Sequence, residues 1–466
     1  SGRRYNQTVF LGMIQGKRIR TIVHLCLLGP VFFTAVSAQQ VHLDKLVNDF
    51  NTYREFNFQE KVFLHLDRPS YLTGETMHFS VYLVDAVFHK PATISTVVYI
   101  EVMDRTNTAV LKSKIEMKEG AGRGMLFLPA TLSSDYYRIR AYTHWMKNYD
   151  PAFYFHRVVA IVNPFRRMEA SEKQQDKGFH AQFFPEGGNL ITDTSCKVAY
   201  RVADADDTGI DFTGFLLDQH SDTITVFKPH RFGIGNFEFT PLPGSAYSAV
   251  ITDRNGRVKS FALPTALEEG YAMKVTETPG AQVLISITRK SDQGVSLTGS
   301  YIFIHARNSI FQAMYLPLVN GNGVMAFNRD VFPEGISHIT VFNEAMVPVC
   351  ERLYFRYPEN LILLKAKPGQ KQYGIRRPVD INVSALVGQK PVQANLSVSV
   401  YKLDSFPQTG QNMVNYLWLT SDLKGDVESP EYYFESSKEA RMAIDNLMLT
   451  HGWRRFKWNE LKSQTT

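Results

Sequence analysis

The strongest constraint on what this chain can fold into is a change of rhythm at about residue 60. From there "KVFLHLD", "ETMHFSVYLVDA", "STVVYIEVMD", "AVLKSKIEM", "RGMLFLPA", "YYRIRAYTH" and "FYFHRVVAIV" follow one another. They are rich in β-branched and aromatic residues and are parted by Pro, Gly, Asn or Asp. Such runs, roughly 10–15 residues apart with no helix-period stretch between them, predict an antiparallel β-sandwich over residues 59–165. Alternate side chains of a strand face opposite ways, so Met77, Phe79, Val81 and Leu83 are expected to fill one sheet face together.

The rhythm returns further on. Pro164 closes the first unit, and the polar "RRMEASEKQQDKG" (Arg166–Gly178) reads as a linker. A second sandwich is expected over 179–266, opening with "FFPEGGNL" and turning at "DADDTG" and "DRNG". A third, 270–358, holds "QVLISITR", "GSYIFIHAR", the turn "NGNG", "ISHITVFN" and "ERLYFRY". A fourth, 360–466, begins with "VDINVSALV" and "ANLSVSVYKLD". The tetrapeptide "FPEG" occurs twice, at Phe184–Gly187 and Phe332–Gly335, and reads as a recurring turn.

Helical spacing appears only at the flanks. Val41, Leu43, Leu46, Val47, Phe50 and Tyr53 predict one amphipathic helix in the linker 39–58. Near the end, Ser436 and Glu439 stand at capping-box spacing, and Met442, Ala443, Leu447 and Met448 make an apolar face that Gly452 ends. The expected fold class is all-β: tandem immunoglobulin-like antiparallel β-sandwiches with a short N-terminal helix and a helical C-terminal segment.

The net charge of +6 has a local origin. Residues 1–38 carry Arg3, Arg4, Lys17, Arg18 and Arg20 and no acid, so the remainder is close to neutral and nucleic-acid binding has no electrostatic basis. This leader, 1–38, has a positive "KRIR", an apolar "TIVHLCLLGPVFF" and small residues at "VSA", the parts of a secretory signal, with Met13 as the expected start. Cys26 leaves with it. Cys196 and Cys350 remain, too few and too far apart for a disulfide framework or a thiolate cluster, and are expected to be buried apolar thiols. No later stretch is long and apolar enough to span a bilayer.

Catalytic signatures are missing: there is no G-x-S-x-G, no H-E-x-x-H and no phosphate-cradling glycine loop. "DADDTGID" partly copies a calcium loop but has Phe215 where the bidentate Glu belongs, so it reads as a hairpin turn. Glu186 in "PEGG" reads as a structural carboxylate, and "WRRFKW" (Trp453–Trp458) as aromatic packing with snorkelling charges. No catalytic residue, cofactor or metal ligand is predicted.

"LDRPSYLTGETMHFSVYLVDA" resembles the start of the MG2-type domain of the alpha-2-macroglobulin superfamily. There Pro69 would end pairing at a sheet edge and Gly74 would supply a tight turn, with Asp67 and Tyr71 as framing residues. Over residues 43–460 the chain is similar to large envelope proteins of Bacteroidota. The motifs that carry this are "EKVFLHLDRPSYLTGE", "FFPEGGNL" (with Pro185 and Gly187), "ERLYFRY", "ANLSVSV", "YLWLTSDLKGDVESPEYYF" and "LMLTHGWRRFKW" (with Gly452, Trp453, Arg454 and Arg455). In that group the chain often continues into carboxypeptidase-regulatory-like and TonB-dependent-receptor plug-like domains, so this sequence is a fragment or a short member. The G-C-G-E-Q thioester motif is missing, since Cys350 lies in "VCERL".

The resemblance implies a non-catalytic exported protein, periplasmic or at the outer membrane, binding protein partners there and linked to a TonB-dependent transporter. Two alternatives stay open. One is an endopeptidase inhibitor without a thioester, with "RRMEASEKQQDKG" or "DSFPQTGQNMVN" (Asp404–Asn415) as the protease-sensitive stretch. The other is a glycan binder using Trp145, Tyr149, Phe153 and Tyr154, which strand periodicity otherwise places in the core.

Overall fold

The computed structural model describes residues 43–52 except 46 and 49, then 58–166, 178–292, 297–402 and 410–451. The leader, most of the 166–178 linker, and Gly452, Trp453, Arg454 and Arg455 lie outside these residues.

Residues 60–162 form a sandwich of two sheets. Strands Glu60–Leu66, Thr76–Asp85 and Ala121–Phe127 make one, with Thr76–Asp85 in the middle. The other has the order Ser70–Leu72, Phe155–Val162, Asp135–Thr143, Val97–Met103, Ala109–Glu116. The alternation in "TMHFSVYLVD" works as expected: Met77, Phe79, Val81 and Leu83 are all buried. Strand Ser70–Leu72, which pairs in parallel with Ala160–Val162, is not expected from the sequence pattern. Three residues are too few to show a period.

The second sandwich packs strands Phe179–Pro185, Cys196–Asp204 and Ile234–Phe239 against a four-stranded sheet. Its core is aromatic, with Tyr200 stacked on Phe237, edge-on to Phe212 and tilted against Phe227. "DADDTG" is a hairpin turn: the Asp204 carboxylate accepts the backbone N–H groups of Asp206 and Thr208. Asp104, Asp218 and Asp253 close their own hairpins through the same pair of bonds.

The third unit is one seven-stranded antiparallel sheet from Gly270–Glu277 to Pro348–Arg356. It is rolled around its core so that these two end strands approach each other. The strands Ser309–Val319 and Asn322–Asn328 pair only at Val319–Asn322, and the sheet turns its corner there. Leu43 and Phe50 of the N-terminal helical stretch are buried on the outer face of this sheet, with Tyr301, Phe303 and Phe342.

Past residue 360 the architecture departs from the expected fourth sandwich over 360–466. Strands Ile362–Pro368, Ile381–Val387 and Lys390–Pro391 form a single three-stranded sheet with exposed faces, and no second layer is found among the described residues. "ANLSVSV" joins no ladder; Ser397 and Ser399 turn instead to His65 and Tyr82 on the first sandwich. The chain then becomes helical, with Met413–Trp418 followed by Lys438–Thr450.

Two details of the last helix also differ from expectation. Its cap is Ser437, whose side chain accepts the Ala440 N–H, so Ser436 and Glu439 do not form a capping box. Met442 is half exposed, and Ile444 takes its place in the apolar face with Ala443, Leu447 and Met448.

Both remaining thiols are free and buried. Burial pushes Cys350 up to about 12 and raises Cys196 as well. Neither should therefore react with a water-soluble disulfide reagent at pH 8 in the native state, and both should do so in denaturant. Fast native labelling of either one would contradict this packing.

Candidate functional site

The early ionisable cluster is a sheet corner. Asp67 accepts the Tyr71 hydroxyl at 2.7 Å and the His78 N–H at 3.1 Å. Arg68 donates to Glu75 at 3.0 Å, and Glu75 also accepts the Leu72 N–H at 2.8 Å. Gly74 sits at φ +88°, where a side chain would be strained. Burial, then the bond to Asp67, raises the Tyr71 hydroxyl far above its usual range and keeps it a donor. His65 and His78 line a groove beside this corner, between Arg123, Met125 and the 397–399 segment. The two histidines are not bonded to each other or to a common carboxylate.

Charged groups converge more tightly where the C-terminal segment crosses the sandwiches. "FFPEGG" turns at Gly187 (φ +82°), which lies so close to the third unit that an added Cβ would be 3.0 Å from Met273 Cβ and 3.4 Å from Cys350 Sγ. The turn drives Glu186 inward, where its carboxylate accepts the Val275 N–H at 3.1 Å and meets the Arg352 guanidinium. Arg352 donates onward to Asp445 of the last helix at 2.6 Å. The Glu186 and Arg352 side chains are both fully buried. Burial alone would lower the Arg352 pKa, but Asp445 and Glu186 outweigh it and raise it, so the group is a fixed cation. One ion chain thus joins the second sandwich, the third unit and the helix.

A second chain joins the first sandwich to the same segment. Lys61, wholly buried in "EKVFLHL", donates to the Leu417 carbonyl at 3.0 Å and to Asp422 at 2.8 Å. Next to it, Trp418 lies edge-on to His89 and under the Arg307 guanidinium, 5.1 Å from the ring centroid. Gly335 of the second "FPEG" also has φ +82°, and an added Cβ there would be 3.1 Å from the Trp418 ring. Both copies of the turn therefore serve as close-approach points. Apolar packing backs the two ion chains: Tyr416 and Leu417 enter the first core, while Leu447 and Met448 pack on Ile234, Leu353 and Phe355.

His451, at the C-terminal end of the helix, is buried beside Thr450, near Arg201 and Asp207. Burial and the Arg201 charge lower it to about 4.

Among the framing residues named from sequence, Asp67, Tyr71 and Gly74 meet in the first corner with Pro69 in its turn, while Pro185 and Gly187 shape the Glu186 turn. The aromatic cluster lies in two short 3-10 turns, Trp145–Asn148 and Pro151–Phe153, and at the residues that end them, Tyr149 and Tyr154. There Phe153 and Tyr154 are buried, and Trp145 and Tyr149 both donate to the Phe58 carbonyl at 2.7 Å. Sequence reasoning missed Lys61, Arg352, Asp422 and Asp445. A signal existed for Arg352: it shares a strand face with Cys350 and Tyr354, which alternation turns inward. No group of three or more metal-ligating side chains occurs among the described residues. Among the described residues, His65 lies within hydrogen-bond reach of the Ser397 hydroxyl at 2.6 Å and of Ser399 at 3.3 Å.

No known family profile matches the chain, and no curated protein matches it. Among solved structures, native alpha-2-macroglobulin of E. coli aligns with 12% identity and a TM-score of 0.19, over 71% of this chain and 25% of that one. Dimeric latent PorU from Porphyromonas gingivalis aligns with 11% identity and a TM-score of 0.29, over 63% and 33%. The BSP domain of a biofilm associated protein aligns with 11% identity and a TM-score of 0.22, over 67% and 69%. The chain spans about a quarter of the length of the macroglobulin it matches. These alignments assign no activity, partner or location.

Two expectations follow from the geometry. Arg352→Met should destabilise by about 3–5 kcal/mol, because it leaves the buried Glu186 carboxylate with no cation nearer than Lys197 at 4.0 Å. Adding Glu186→Gln should restore much of that loss, as read by urea unfolding. Equal unfolding midpoints for Arg352→Met and the wild type would refute the ion chain. For His451, the folded pKa lies below the unfolded one, so between about pH 6.5 and pH 4 the unfolded chain binds a proton that the folded chain refuses. Stability should fall across that window on acidification, by on the order of 3 kcal/mol, and His451→Gln should flatten this part of the profile.

Proposed function

We propose that this chain is a non-catalytic, exported scaffold of macroglobulin-like modules. It holds β-sandwich edges and loops in fixed relation for protein partners at the outer membrane of a Bacteroidota cell. One observation carries this reading: the motifs behind the sequence resemblance meet one another in space. "FFPEGG", "ERLYFRY" and the helix before "LTHGW" share the Glu186–Arg352–Asp445 chain, while "EKVFLHL" and "YLWLTSD" share Lys61–Asp422. Their charged groups are used in cross-links between modules, which is what a rigid presenting frame needs. A TonB-dependent transporter is the partner we favour, on the strength of the resemblance. Free strand edges suit binding by strand addition.

The test is made in the native cell. A photo-crosslinking residue placed on exposed surface positions should capture an outer-membrane protein, with the chain itself recovered in the envelope fraction. Recovery in the cytoplasm, or crosslinks only to a protease held after cleavage of the chain, would overturn the scaffold reading. The second outcome would favour an inhibitor.

A further inference from the structure

The sheet between residues 361 and 391 is unlike the others. Its register puts Ile362, Leu364 and Ala366 on the same face as their partners Val387, Ala385 and Val383. This continuous apolar face is open to solvent: Ile362 is 48% exposed, Leu364 52% and Val383 47%. In the three preceding units the corresponding inward residues are buried. Among the described residues the strand Ile362–Pro368 pairs only with Ile381–Val387, and its other edge joins no strand.

Charge sets the sheet apart as well. Residues 361–391 carry Lys365, Lys367, Lys371, Arg376, Arg377 and Lys390 against the single acid Asp380, while the rest of the chain after residue 38 is net acidic. Lys365 and Lys367 lie on the face opposite the apolar one. Lys371, Arg376 and Arg377 sit in the connecting loop beside Ile375, which is 93% exposed.

We propose that this sheet is one layer of a sandwich whose second layer is a β-hairpin of an acidic partner polypeptide, apolar on one face and carrying carboxylates at its rim. The proposal rests on the protein-partner reading above and names the surface that reading requires. An apolar sheet face of this kind is normally covered by another sheet about 10 Å away. A bilayer is a poorer occupant, because hydrocarbon cannot satisfy the backbone groups of an open edge. A second copy of this chain is disfavoured too, since it would bring two basic sheets together.

The probe is a disulfide-closed synthetic hairpin with Val along one face and Glu at its turn and strand ends, labelled with a fluorophore, and its twin with Lys in place of Glu. Binding to the full chain is read by anisotropy at two salt concentrations. The Glu hairpin should bind at least tenfold more tightly than the Lys twin at low salt, with the difference shrinking as salt rises. Leu364→Asp with Val383→Asp should abolish binding while leaving the urea midpoint unchanged, because both side chains are already exposed. Lys371→Glu with Arg376→Glu, in the connecting loop, should weaken it at least fivefold. Equal binding of the two hairpins, or binding indifferent to Leu364→Asp, overturns the proposal. So does a Leu364-dependent dimer, or Leu364-dependent flotation with phosphatidylglycerol vesicles. If the hairpins fail here while crosslinking in cells captures a partner at other positions, this inference falls and the scaffold reading stands.

Discussion

Everything in the arrangement of the modules depends on a buried carboxylate that cannot be left alone. Glu186 is held inside by its turn, where Arg352 and the Val275 N–H compensate its charge and Lys197 stands 4.0 Å away. Removing two such charges from water costs several kcal/mol each, so the pair is a poor source of net stability. What it supplies is specificity. Sliding the second sandwich against the third unit would part the ions in a dry interior, and greasy packing alone would not resist that motion so steeply. Asp445 extends the same constraint to the last helix and fixes which face of the helix docks.

The C-terminal segment is therefore a strap rather than a module of its own. It contributes Tyr416 and Leu417 to the first core and the Leu447–Met448 face to the junction of the second and third units. The strand Pro348–Arg356 lies between two apolar layers, with Cys350 and Tyr354 facing one and Leu353 and Phe355 the other. An antiparallel strand buried on both faces loses its alternation, and Leu353, Tyr354 and Phe355 accordingly follow one another without a polar residue between them.

The sequence made the sandwiches legible because period-two alternation is local and strong in stretches such as "TMHFSVYLVD". It made the corner legible because Pro69 and Gly74 act on the backbone within a few residues. It failed where the cause was distant. The partner of Lys61 is 361 residues away, and nothing nearby says that its strand edge will be covered. The fourth unit misled for a related reason: "VDINVSALV" alternates as a core strand does, yet alternation reports an apolar face and not what covers it. The single-residue slip of the helix cap from Ser436 to Ser437 reflects two adjacent serines with equal capping ability.

The link between Lys61 and Asp422 has a temporal side. A polypeptide emerging from its amino end completes the first sandwich hundreds of residues before the lysine's acid exists. Through that interval a charged side chain destined for a dry interior faces water, or whatever holdase is at hand. Closure can begin only once Asp422 has been made, and the Arg352–Asp445 link must wait for the helix that follows it.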